Sequence, residues 1–204
     1  LTEGSILSIF TNDDKYTKEK LQTDLENLEA FYKDRGYLQF KLDSSQVSIS
    51  DDLEELFITL VVSEGERYAL KDIKISGELP LDREFFESFI NIPEDTYYSE
   101  SLITSYEEFY ANILGNEGYT FAEVEGVPTI DEENKTADIT FVFNPGRKNY
   151  TRRIIFTGNN FTTDEVLRRE MRQFEGAPAS NQAIEQSKLL LERTGFFKSV
   201  NVET

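Results

Sequence analysis

The sequence predicts an α+β protein built from tandem βααββ modules, each a three-stranded mixed sheet covered by two helices, arranged as an elongated rod. Three observations predict it. A helical segment ends in a glycine-aromatic pair at Gly36-Tyr37, Gly118-Tyr119 and Gly195-Phe196. The positions five and four before these glycines are apolar in every copy: Phe31 and Tyr32, Ile113 and Leu114, Leu190 and Leu191. Alternating apolar residues, Ile58, Leu60 and Val62 in one place and Ile139, Phe141 and Phe143 in another, lead at identical offsets to Gly65 and Gly146, as half-buried strands do. Twelve residues beyond each stands a further glycine, Gly77 or Gly158, closing a second alternating strand with Ile73 and Ile75 or Ile154 and Phe156. The period of about 80 residues divides the chain into 1–66, 67–146 and 147–204.

In the first copy the longer helix is expected over about Thr17–Arg35, with Leu21, Leu25, Leu28 and Tyr32 along one face. A strand over Leu38–Ser50, an Asp51-Asp52 turn and a returning strand over Phe57–Val62 follow. The middle copy reads as strand Tyr68–Ser76, helices Asp82–Ile90 and Ser99–Leu114, and strands Tyr119–Val127 and Thr136–Asn144. In the third, Thr162-Thr163-Asp164-Glu165 has the pattern of a capping box, in which the Thr hydroxyl and the Glu carboxylate bond each other's helix-start amides. Helices over Asp164–Phe174 and Ala183–Arg193 and a strand from Phe197 complete it. The glycines past each helix suit a left-handed C-terminal turn, and the paired aromatics, Phe196 and Phe197 included, are expected in cores. Short joints at Glu66-Arg67 and Arg147-Lys148-Asn149 leave little room for hinging.

Charge and composition exclude several functions. There are 39 Asp and Glu against 21 Lys and Arg, a net charge of −18, which disfavours a nucleic-acid partner. The charge is uneven: −9 over 1–66, −12 over 67–146 and +3 over 147–204. Without His or Cys there is no Ser-His-Asp or Cys-His chemistry, no disulfide and no zinc site of the usual ligand set. Acidic runs such as Asp131-Glu132-Glu133 lack calcium-loop spacing, so no metal or cofactor is expected. No apolar run approaches the roughly 20 residues that cross a bilayer, and the first residues do not form a signal peptide.

A repeated βααββ unit with this glycine-aromatic turn resembles the POTRA domain. In the third copy, Val166-Leu167-Arg168-Arg169-Glu170-Met171-Arg172-Gln173-Phe174-Glu175-Gly176 and Leu191-Glu192-Arg193-Thr194-Gly195-Phe196-Phe197 are similar to the last POTRA of the BamA family of outer-membrane protein assembly factors, in the Omp85 superfamily. Tyr32-Lys33-Asp34-Arg35-Gly36-Tyr37 and Asp43-Ser44-Ser45-Gln46-Val47 resemble an earlier POTRA, so the resemblance implies the third to fifth repeats. Against the family pattern, the first copy begins inside its first helix, about Leu1–Phe10, without its opening strand, and the third stops at Thr204 without its closing strand. The third copy's two outer strands are accordingly expected to be poorly ordered or to borrow a partner.

The resemblance implies a non-enzymatic scaffold in the periplasm. It would receive unfolded outer-membrane proteins and accessory lipoproteins, partly by strand addition to an exposed sheet edge, and would carry a C-terminal barrel in the same full-length chain. It further implies a BamB-like partner at the edge strand through Leu42, Asp43, Ser44, Gln46 and Val47, since Gly126 and Pro128 would limit pairing on the second copy's edge. A BamD-like partner is implied at a helix face of Arg168, Arg169, Arg172 and Glu175. The alternatives are a POTRA array of a related secretion or translocation-assembly transporter, and a carboxylate-pair hydrolase for which no pair stands out.

Overall fold

The structure, a computed structural model, describes residues 18–50, 55–93 and 96–204. The expectations for Leu1–Phe10 and for the Asp51-Asp52 turn lie outside the described residues. In the first module, helix α1 (Lys18–Lys33) precedes an antiparallel hairpin of β1 (Lys41–Ile49) and β2 (Leu56–Ser63). The face of α1 expected to be apolar is half-buried at Leu21, Leu25, Leu28 and Tyr32. Tyr32 stacks on the buried Phe40 ring at 4.3 Å.

The second module contains β3 (Ala69–Gly77), α2 (Arg83–Glu87), α3 (Glu100–Asn116), β4 (Glu123–Asp131) and β5 (Thr136–Asn144). Its sheet has the order β3-β5-β4, with β5 parallel to β3 and antiparallel to β4. The central position explains the burial of β5: Ala137, Ile139, Phe141 and Phe143 all turn into the core. Phe86 from α2 and Tyr110 from α3 meet Phe143 with ring centroids 4.8 Å and 5.2 Å apart, and Tyr110 lies 5.5 Å from Phe141. The Tyr110 hydroxyl donates to the Phe86 carbonyl at 3.1 Å, which satisfies the polar end of a buried ring. Burial, with Tyr106 nearby, pushes its phenol up to about 12.

β4 begins four residues later than the sequence suggests. Tyr119 donates to the Leu114 carbonyl and Ala122 to that of Tyr119, so the residues after Gly118 close a tight turn before the strand begins. Phe121, at the end of that turn, is 83% exposed.

The third module has helices α4 (Asp164–Glu170) and α5 (Asn181–Arg193) and, among the described residues, no strand. The strands expected at Ile154 to Phe156 and from Phe197 do not form. In the second module both outer strands form their ladders with β5, and residues 147–204 contain no counterpart of β5. Only a single bridge, Tyr150 to Pro178, stands in for a ladder. With no sheet beneath it, Phe196 is 61% exposed rather than in a core. The capping box also fails: Thr163 is the N-cap without a side-chain bond, and Glu165 pairs with Arg169 at 3.0 Å instead.

Candidate functional site: a sheet edge, a basic face and two joints

Leu42, Asp43, Ser44, Gln46 and Val47 all fall on β1, whose partner strand among the described residues is β2. The register slips between Leu42 and Ser44, which makes Asp43 the extra residue of a bulge. Its carboxylate accepts from the Ser63 hydroxyl at 2.5 Å. Beyond the bulge the pairing runs without interruption from Ser44 to Ile49. Leu42 and Val47 are exposed apolar side chains on this strand, and no described strand pairs with its outer side.

The basic group is not one helix face. Arg168 and Arg169 lie on α4, but that helix ends at Glu170, and Met171 turns extended with ψ 140°. Arg172 and Glu175 therefore follow in a loop. That loop is held by Ser187 and Gln173, two buried polar residues that helical periodicity does not disclose. The Ser187 hydroxyl accepts from the Arg172 amide at 2.8 Å, and Gln173 bonds the Pro178 carbonyl and the Ser180 amide. Glu175 accepts from the Ile154 amide at 2.8 Å and pairs with Arg168 at 3.3 Å, while Arg168 also donates to the Ile154 carbonyl. The Ile154 amide, ahead of Arg168, holds the Glu175 carboxyl below its ordinary value. Arg169 is exposed and pairs with Glu165, while Arg172 lines a shallow groove that α5 extends with Gln186, Leu189, Leu190 and Arg193.

Two further constellations join the modules, and they repeat. At the first joint the Gly36 carbonyl accepts from the Tyr68 amide at 2.9 Å, and Asp34 Oδ1 accepts from the Ser101 amide at 2.8 Å and the Ser99 hydroxyl at 3.1 Å. At the second, the Gly118 carbonyl accepts from Asn149 at 2.7 Å, and Asn116 Oδ1 accepts from the Gln182 amide at 2.9 Å and the Ser180 hydroxyl at 3.3 Å. Ser99 and Ser180 are themselves the N-caps of α3 and α5. The end of one module's long helix thus supplies an acceptor to the start of the next, where helix amides lack internal partners. Arg67 adds a bond to the Arg35 carbonyl at 2.6 Å and lies 3.4 Å over the Tyr97 ring, and Leu38 packs against the second core.

The two glycines serve this approach as well as ending helices. At Gly36, φ +96°, a Cβ would lie 3.0 Å from the Tyr68 carbonyl oxygen; at Gly118, φ +104°, it would lie 3.1 Å from that of Asn149. The third copy has Arg193, a donor only, where the others have Asp34 and Asn116.

Only the first joint can titrate at its cap. Burial opposes ionisation of Asp34, but the bonds from Ser101 and Ser99, with Arg35 nearby, outweigh it and hold the carboxyl below its ordinary value. A depressed folded value means that the bond's contribution is fully present above the ordinary aspartate range and lost as pH falls through the folded value. On acidification from about pH 6 to about pH 3, the Ser101 amide resonance is expected to shift while that of Gln182, held by neutral Asn116, stays in place. Parallel shifts of both amides would remove Asp34 from this role.

Comparison with known proteins agrees with this architecture. The family model POTRA, "Surface antigen variable number repeat", matches residues 2–65, 68–146 and 149–204. The outer membrane protein assembly factor BamA of Neisseria meningitidis is 31% identical over all of this chain, which spans 26% of that protein. BamA of Buchnera aphidicola is 32% identical over 92% of this chain and 30% of its own length. The chain thus spans about a quarter to a third of the length of these relatives. The crystal structure of Haemophilus influenzae BamA POTRA3-5 superposes with a TM-score of 0.74 at 32% identity, covering 93% of this chain and 75% of that one. Three consecutive matches, with the strand order and repeated joints described above, make this chain a member of the POTRA family.

Proposed function

We propose that the chain is the non-enzymatic periplasmic scaffold of a BamA-like outer-membrane protein assembly factor, taking extended polypeptide by strand addition at β1. The observation that carries this reading is the outer edge of β1, nine residues long and, among the described residues, paired on its other side with β2 alone. A main-chain edge binds through N–H and C=O groups common to all sequences, which suits a factor that handles many unfolded outer-membrane proteins. The same edge is the seat for a BamB-like lipoprotein. The exposed Arg169 and Arg172, with the Arg168–Glu175 pair beside them, suit a BamD-like one. Names of relatives support this reading, and so does the weakly basic charge of the third module, which would suit a position beside a barrel and anionic headgroups.

Val47→Pro tests the edge. Val47 pairs with Ile58 as Pro128 pairs with Ile139, and Ile58 and Ile139 both lie seven residues before the strand-closing glycine. Proline is therefore compatible with a folded sheet at that place. In the whole chain, binding of an end-blocked octapeptide of alternating threonine and valine is expected to weaken about tenfold, close to the worth of one lost main-chain hydrogen bond. Undiminished binding by a folded variant sinks the claim.

A further inference from the structure

The second module has an outer edge strand too. β4 occupies in the β3-β5-β4 sheet the place β1 occupies in the first module. Nine residues long and with Val127 and Ile130 exposed, it should be as sticky as β1. Two features of its open side argue otherwise.

In an antiparallel pair, alternate residues turn their main-chain groups toward the partner and away from it. The Gly126 amide is turned away from β5, because it donates to Glu107 Oε1 of α3 at 2.6 Å. Pro128, two residues on, shares that outward orientation and has no N–H. Two successive donors at the middle of the edge are thus withheld from any incoming strand. One is consumed by a carboxylate and the other does not exist. The carboxylate also puts a charge on the edge, a device that discourages pairing.

Among the described residues neither feature exists in the first module. Counted back from the helix-ending glycine, Glu107 lies eleven residues before Gly118, and the residue eleven before Gly36 is Leu25. Counted by register, Gly126 pairs with Phe141 and Ser45 with Leu60, each partner five residues before its strand-closing glycine. Val47 takes the place of Pro128 in the same way. So β1 keeps an N–H at both positions, and the helix above it carries an apolar side chain where α3 carries a carboxylate.

We infer that Glu107, together with Pro128, is a specificity determinant that closes the outer edge of β4 to strand addition and confines docking of extended polypeptide to β1. The occupant excluded is an extended main chain of any sequence, including a second copy of this chain pairing edge to edge. The inference deepens the proposed function and rests on it for the role of β1, but the closure of β4 is read out separately.

The experiment compares the unaltered chain with one carrying Glu107→Leu and Pro128→Val, which install the first module's residues. Gly126 is left alone: a Cβ there would run into Ile103 Cγ2 and lie 3.0 Å from Phe141 Cε1. Amide hydrogen exchange is followed with and without the alternating threonine-valine octapeptide. In the unaltered chain the peptide is expected to slow exchange at Ser45 and Val47 and to leave β4 unchanged. In the double variant it is expected to slow exchange about tenfold at Gly126 and position 128 as well.

Two results overturn the closure: peptide-dependent protection of β4 in the unaltered chain, or no such protection in a double variant whose β3-β5 ladder is intact. Protection at β4 of the variant with none at β1 of either protein leaves the closure standing and refutes the proposed role of β1. If the double variant does not fold, Glu107→Ala alone decides. Its Gly126 amide should exchange faster than in the unaltered chain and be slowed again by the peptide, and failure of either step overturns the inference.

Discussion

Replacing Phe141 with alanine is expected to destabilise the second module by about 3–5 kcal/mol, the cost of deleting a buried aromatic from a packed core. The ring is fully buried on the central strand and touches Tyr106 and Tyr110 with centroids 5.8 Å and 5.5 Å apart. Its far edge faces Gly126, so the void would open between α3 and β4 with no small side chain able to fill it. A module of about 80 residues holds only a modest reserve, of the order of 5–10 kcal/mol, so the loss is a large part of the whole. Urea unfolding followed by circular dichroism should move to lower midpoint with the slope preserved. A loss under about 1 kcal/mol would mean that the core repacks around the gap.

Gly77→Ala should cost about 2–4 kcal/mol, through two effects that a second variant separates. Gly77 has φ +93°, and a Cβ there would strike the Phe143 carbonyl oxygen and lie 2.7 Å from the Phe143 nitrogen, main-chain atoms of β5 that cannot swing aside. Gly158 stands at the equivalent point of the third module, with φ +82° and nothing within 4 Å of its missing Cβ. Gly158→Ala therefore carries the backbone strain alone, about 1 kcal/mol. Denaturation of both variants in the same chain should show the Gly77 change to be the larger by the collision. Equal losses would mean that β3 can move away from β5.

The reason one glycine is crowded and its counterpart is not also explains what could be read from the sequence. β5 matches its expected span because Ile139, Phe141 and Phe143 alternate on a strand buried by both neighbours, a pattern set by local periodicity. The outer strands of the third module carry similar alternation at Ile154 and Phe156, yet no ladder forms. Alternation describes which face would be buried and does not supply the hydrogen-bonding partner.

α4 stops at Glu170 although Arg172 and Phe174 continue an acceptable helical pattern, because the Ser187 hydroxyl accepts from the Arg172 and Gln173 amides that follow. Those bonds come from a helix farther along the chain, beyond the reach of a local pattern. Glu107 reaches the edge of β4 in the same non-local way. The joints were legible in principle. Asp34 and Asn116 both stand two residues before a helix-ending glycine, and Ser99 and Ser180 both open the next long helix. Only the fold shows that each acceptor and its donors belong together.

These joints are made mainly of hydrogen bonds between groups that water can also satisfy, with Leu38 the apolar contribution to the core across the boundary. Parting two modules there exchanges protein partners for solvent and uncovers little greasy surface. An apolar interface of the same strength would, on opening, expose a patch to whatever apolar chain lay nearby. Bending at such a joint can be undone without that exposure, a property that would suit the proposed handling of polypeptides that have yet to fold.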